Sequence, residues 1–179
     1  MNFSVRQVGL GIAILCAAWS GSVTAQIESF IGHYEGSAEV EVAGQSQKRD
    51  LSVDILDGDD GGYTVKWKST IYKSSGKVKE KEYKINFVST KRKGIYSSAM
   101  GTNVFGNPVA LDPMKGDPYV WARIQGNVMT VYSLLIDEQG GYEMQEYHRT
   151  LVEGGLELDY RRVRNGEPLR SVKTFLKRK

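Results

Sequence analysis

Only one cysteine, Cys16, occurs in the 179 residues, and it lies in an N-terminal segment expected to be removed. The remaining chain then has no disulfide and no thiolate for metal binding or nucleophilic chemistry. Histidine is nearly as scarce, with His33 and His148 alone. Charge of one sign is not in marked excess: 24 Lys and Arg stand against 21 Asp and Glu. That balance gives no reason to expect nucleic acid as a partner, and the short basic clusters KRKG (91–94) and KRK (177–179) read as solvated turn and tail. The chain carries no phosphate-cradling glycine loop, no Ser-His-Asp spacing, no Rossmann fingerprint and no cysteine metal site. No cofactor is implied and no metal site is expected. DGDDGG (57–62) invites a calcium reading, but Gly61 and Lys68 occupy the fifth and twelfth positions where an EF-hand needs oxygen ligands. It is a hairpin turn instead.

The first 25 residues have their own pattern. Arg6 precedes the apolar run VGLGIAILCAAW, and Val23 and Ala25 sit three and one residues before a small-residue cleavage point at Gln26. The run is too short to span a bilayer. Leu15, before Cys16, is not the small residue a lipidation site needs. A secretory signal peptide over 1–25 is predicted, leaving a single domain at 26–179. Export without disulfides fits a bacterial periplasm, or secretion.

The mature segment has no helix-period stretch of useful length. Alternation with a period of two runs through it, broken at short intervals by turn residues. GHYEGSAEVEV sets Tyr34, Gly36, Ala38 and Val40 against His33, Glu35, Ser37 and Glu39. LSVDIL, YTVKWKSTIY, EYKINFV and IYSSAM follow, and after a long interruption (101–118) come YVWARIQ, VMTVYSLLID, YEMQEYHRTLV, LELDYRRVR and LRSVKTFLK. Ten strands joined by hairpin-length turns predict an all-β fold: a single up-and-down antiparallel barrel of about ten strands, in which closure removes exposed edges. First and last strands must then pair. Of the two faces of the last strand, Arg170, Val172, Thr174 and Leu176 are expected inward, because the other would place Lys173 in the interior. Charge on the second face of many strands, such as Lys66, Lys68 and Lys84, and the C-terminal FLKRK argue against insertion as an outer-membrane barrel. No stable membrane insertion is expected.

FIGHYEG at the start of the first strand resembles the Gly-x-Trp opening of the calycins, the lipocalin-like and fatty-acid-binding-like barrels, with Tyr34 where they have tryptophan. The resemblance implies a lipocalin-like barrel with an interior ligand site. AGQSQ is too short for the helical lid of the fatty-acid-binding branch. That branch holds a carboxylate with an interior Arg–Arg–Tyr group. The haem-binding nitrobindin branch uses a histidine on a late strand, where His148 lies.

Three constellations carry the functional expectation. In YVWARIQ, Tyr119, Trp121 and Arg123 share a face, and in LELDYRRVR, Tyr160, Arg162 and Arg164 do. If these stripes face inward, Arg123 and Arg162 hold the acidic head of a small lipophilic ligand, and Tyr63, Trp67, Phe87, Tyr119, Trp121, Tyr132 and Tyr160 line its cavity. The alternative is that each arginine lies at a mouth or pairs with Glu146. His148 shares a face with Glu146, so an enzyme using the two as an acid–base pair is a second reading. The sequence gives no further support for catalysis. The 101–118 loop, with Phe105, Leu111 and Met114, is expected either to cover a barrel mouth as a lid or to plug it.

Overall fold

The computed structural model describes residues 27–42, 44–103 and 105–179. The predicted signal segment 1–25, Cys16 included, lies outside the described residues.

Twelve strands follow in order: β1 (Gly32–Val42), β2 (Gln45–Asp57), β3 (Tyr63–Tyr72), β4 (Val78–Ser89), β5 (Ile95–Ser98), β6 (Gly101–Thr102), β7 (Pro108–Val109), β8 (Tyr119–Gln125), β9 (Val128–Ile136), β10 (Tyr142–Val152), β11 (Gly155–Arg164) and β12 (Glu167–Arg178). Ten of them close into one antiparallel barrel in which sequence neighbours are sheet neighbours, while β6 and β7 form a separate two-stranded ribbon. The DGDDGG stretch connects β2 to β3 through a short 3-10 turn over Asp59–Gly61.

The barrel closes where β1 meets β12. Tyr34 pairs with Arg178 and Glu35 with Lys177, and the Thr174 hydroxyl donates to the Ser37 carbonyl at 2.6 Å. Glycine makes this seam possible. A Cβ on Gly36 would stand 2.4 Å from the Phe175 carbonyl oxygen, and one on Gly155, across β12, would stand 2.1 Å from that of Leu176. The register Leu156↔Leu176, Leu158↔Thr174, Tyr160↔Val172 and Arg162↔Arg170 puts the expected set of β12 side chains inward, with Leu176 fully buried.

One end of the barrel is solid. Tyr34, Ile55, Tyr63 and Phe87 fill it, under a short N-terminal turn that adds Ile27 and Phe30. The Tyr34 hydroxyl donates to the Phe30 carbonyl at 2.7 Å, and Arg178 donates to the Ser29 and Ile31 carbonyls at 3.0 and 2.6 Å while lying 5.4 Å over the Tyr34 ring. Tyr63 stacks on Phe87 at 5.0 Å and meets Tyr96 edge-on at 4.9 Å. Each such buried ring contributes on the order of 1.5–3 kcal/mol relative to exposure. The opposite end is looser. β5 is four residues long and pairs with β4 only over Phe87–Ser89, so the first half of β4 has no ladder partner on that side. Lysines at 79, 81 and 84 mark this edge, as charged side chains commonly do where pairing with another chain must be avoided.

The face of β8 differs from expectation. Val120, Ala122 and Ile124 are buried, whereas Tyr119 and Arg123 are exposed. The two faces of this strand are both largely apolar, and the smaller one fits the interior, with Ala122 opposite Val131 and Ile124 opposite Met129. The larger aromatic residues lie outside and cover each other. Trp121 stacks on Tyr132 at 4.8 Å with 10° between ring planes, and Tyr119 leans on Trp121 at 5.6 Å. Arg123, carrying a permanent charge, bonds Gln125 on the surface.

Candidate functional site

The looser half of the barrel holds a cavity of about 260 Å³ between β1–β4 on one side and β10–β12 on the other. Its wall is aromatic. Trp67 of β3 stacks on Tyr83 of β4 at 5.2 Å and approaches Tyr147 of β10 at 5.5 Å, and Tyr147 lies 4.7 Å from Tyr160 of β11. Leu51, Val53, Leu158 and Val172 complete the apolar lining.

Into this wall four guanidinium groups project: Arg49, Arg149, Arg162 and Arg170. Arg149 is the deepest, only 1% exposed. Its Nε and Nη1 have no protein acceptor. Its charge centre faces two π-systems, 5.9 Å from the Trp67 centroid and 5.5 Å from that of Tyr147. Among the described residues no carboxylate is ion-paired with it. Burial therefore lowers its pKa to about 10, with the nearby Tyr147 and Tyr63 opposing the shift. A buried cation with no counter-ion among the described residues is costly.

Arg162 is differently placed. Its Nη2 donates to Glu143 Oε2 at 2.6 Å, and Arg164 donates to the same oxygen at 3.1 Å. The Arg162 hydrogen bond holds the Glu143 carboxyl below the usual range despite opposing desolvation. From Glu143 a chain of hydrogen bonds runs inward. Gln145 Nε2 donates to Glu143 Oε1 at 2.8 Å, and the Tyr147 and Tyr160 hydroxyls donate to Gln145 Oε1 at 2.9 and 3.5 Å. Desolvation pushes both phenols up, so they remain neutral donors. Arg49 donates to Gln47 Oε1 at 3.1 Å. Its pKa is lowered by burial and by the like charge of Arg170.

The residues singled out from the sequence therefore separate. Trp67, Tyr160 and Arg162 line the cavity. Phe87 and Tyr63 belong to the solid end. Tyr119, Trp121, Tyr132 and Arg123 form the outer ladder and do not reach the interior. Arg162 pairs with Glu143, since Glu146 is on the outer face of β10. His148 is on that face too. Its Nε2 lies 2.9 Å from Glu146 Oε2, its Nδ1 3.0 Å from Thr130 Oγ1, and the Tyr132 ring meets it edge-on at 6.3 Å. The His148–Glu146 pair is thus a surface arrangement outside the cavity, which removes the basis for an acid–base centre there. The 101–118 loop lies at the open end, carrying the β6–β7 ribbon and a 3-10 turn over Pro113–Lys115. None of its described residues lines the cavity, and Phe105 and Met114 are exposed. In this conformation the loop neither covers nor plugs the site.

Arg49, Arg149, Tyr83 and Tyr147 were not anticipated. Parity would have found the two arginines. Arg49 stands in step with Leu51, Val53 and Ile55, and Arg149 is opposite Leu158 across the β10–β11 hairpin.

No protein-family model matches the chain, and no curated protein matches it. Among solved structures, an S-type phycobiliprotein lyase from Guillardia theta is similar over 89% of this chain and 94% of its own, at 10% identity and a TM-score of 0.38. That likeness is too distant to carry any inference about a ligand. The barrel itself is a single closed antiparallel barrel of ten strands in sequence order around an interior cavity, as the strand pattern predicts.

Proposed function

We propose that the protein binds a small lipophilic acid inside the barrel, with the acidic group at Arg149 and the apolar body against Trp67, Tyr83 and Tyr147. The observation that carries this reading is the buried, unpaired guanidinium of Arg149. A protein chain gains nothing in stability from such a group, and a well-packed apolar residue would serve the core better. A ligand carboxylate supplies the missing counter-charge and acceptors in the forked geometry that guanidinium matches. The cavity, at about 260 Å³, lies just below the range of roughly 300–1,000 Å³ usual for small-molecule sites. It suits a compact molecule rather than a long lipid. The reading treats the protein as a binding module in an exported compartment, consistent with the N-terminal pattern of residues 1–25, and not as a membrane-inserted barrel.

The test is a fluorescence titration of the purified protein with an aromatic monoacid such as naphthoate, beside its uncharged amide. The acid should bind and quench the Trp67 emission, the amide should bind weakly, and Arg149→Met should abolish the difference. Equal binding of the acid by the parent and by Arg149→Met would refute the assignment.

A further inference from the structure

The cavity has a second cationic station, and it is not needed to bind a single acid. Arg49 of β2 and Arg170 of β12 converge on it from either side of β1, where the small Ala38 stands in register with Arg49. Arg49 feels the like charge of Arg170 directly. Among the described residues neither is ion-paired, and Glu143, which might have served, is engaged by Arg162 and Arg164. Two cations are therefore held together at the upper wall with no anion of the chain between them.

The β10–β12 wall sets the spacing of Arg149 and Arg170. On β10, Arg149 is four residues from Gln145, which is in register with Arg162 and, through it, with Arg170. Four residues of strand cover about 13 Å between backbone levels. The aromatic wall occupies the interval.

We infer that the ligand is a diacid: a flat, apolar body with acidic groups at opposite ends, one seated at Arg149 and the other between Arg49 and Arg170. This inference rests on the interior-acid reading above and extends it from one charge to two. An anion between Arg49 and Arg170 relieves their repulsion as well as gaining two charge-assisted hydrogen bonds, so the second group adds affinity rather than merely being tolerated. The rigid body then spans the stations without the ordering cost of a flexible chain.

The experiment compares biphenyl monocarboxylate with the biphenyl dicarboxylate bearing its acids at opposite ends, by calorimetric titration into the full-length purified protein. The diacid should bind at least about tenfold tighter, the factor a single charge-assisted contact supplies. Arg170→Gln and, separately, Arg49→Gln should erase that preference, bringing the diacid to the affinity of the monoacid in the same variant, and circular dichroism should confirm that both variants are folded. Arg149→Met should weaken both ligands. If the monoacid binds through Arg149 but the diacid binds no tighter, the second station is not a ligand site and only the first reading survives. If the preference persists in both Arg170→Gln and Arg49→Gln, the second acid is recognised elsewhere and the assignment is wrong. If neither acid binds the parent, the interior-acid reading fails, and the diacid inference with it.

Discussion

Replacing Arg149 by methionine should make the ligand-free protein more stable while destroying its binding of acids. Methionine keeps an unbranched apolar stem of similar length against Trp67 and Tyr147, so little packing is lost. What is removed is a charge that the fold disfavours. The fall of the Arg149 pKa to about 10 corresponds to about 3 kcal/mol against the charged form. Two cation–π contacts at 5.5 and 5.9 Å are lost with it, and because both stand near the roughly 6 Å limit of such contacts each contributes only about 0.5–1 kcal/mol. A net gain of about 1–2 kcal/mol remains, which for a domain of this size corresponds to a rise in Tm of roughly 2–8 °C.

The assay is paired urea and thermal unfolding of the parent and Arg149→Met, without ligand. The urea midpoint should rise with an unchanged slope, showing that stability and not compactness has changed. The pH dependence gives a second check. A cationic group whose pKa is lower in the folded state disfavours folding fully below that value. The penalty is relieved as pH rises from about 10 towards the unfolded value. The gap between the two proteins should therefore narrow above about pH 10, with the titration of tyrosines common to both cancelling in the difference. A lower midpoint for Arg149→Met would refute the reasoning, since it would mean that the guanidinium is a net stabiliser of the barrel and no ligand is needed to explain it.

Glu143→Gln should bind acids more tightly than the parent, because Arg162 and Arg164 are released from their shared carboxylate; equal or weaker affinity in the titration would count against a cationic site. The depressed Glu143 pKa also contributes stability that is present above the unfolded carboxylate value and lost as pH falls through the folded one, so the parent should lose more stability than Glu143→Gln between about pH 5 and 3 when followed by urea unfolding. Trp121→Ser and Arg123→Met alter the outer ladder only and should leave acid affinity within about twofold, a larger loss placing the site on the wrong face of β8. Deleting residues 168–179 removes nearly all of β12 and exposes the edges of both β1 and β11, so the truncated chain should aggregate on size-exclusion chromatography; a soluble, cooperatively folding monomer would show that closure is dispensable.

The barrel was legible because its evidence is redundant. Each hairpin turn is marked by Gly, Asn or Asp, and each strand carries a face with at least one unambiguous residue, such as Val53 and Ile55 on β2 or Val65 on β3. Closure followed from the edge argument. The inward set of β12 followed from a single charge, because Lys173 on the other face has no partner within an apolar interior, and in the structure it instead reaches the outward Asp159 at 3.6 Å.

The site was less legible for a physical reason. On β8 one face is aliphatic and the other mainly aromatic, and on β10 both faces are mixed, so local hydrophobicity does not choose between them. The weight of the aromatics favours Tyr119, Trp121 and Arg123 as the inward face, yet a barrel interior rewards fit, and Val120, Ala122 and Ile124 are what the space between β5 and β9 accepts. On β10, His148 and Glu146 are the chemically conspicuous pair, yet the face of Glu143, Gln145, Tyr147 and Arg149 is the one that turns inward. The information was present one hairpin away. The tight turn at Glu153–Gly154 fixes Val152 opposite Gly155, and counting back from it sets Leu151 against Leu156, Arg149 against Leu158, Tyr147 against Tyr160 and Gln145 against Arg162. Leu156 and Leu158 are unambiguously interior, so their partners must be as well, since residues directly opposite across a ladder share a face. Parity passed from an unambiguous strand to an ambiguous neighbour thus locates a buried arginine that no property of its own strand reveals.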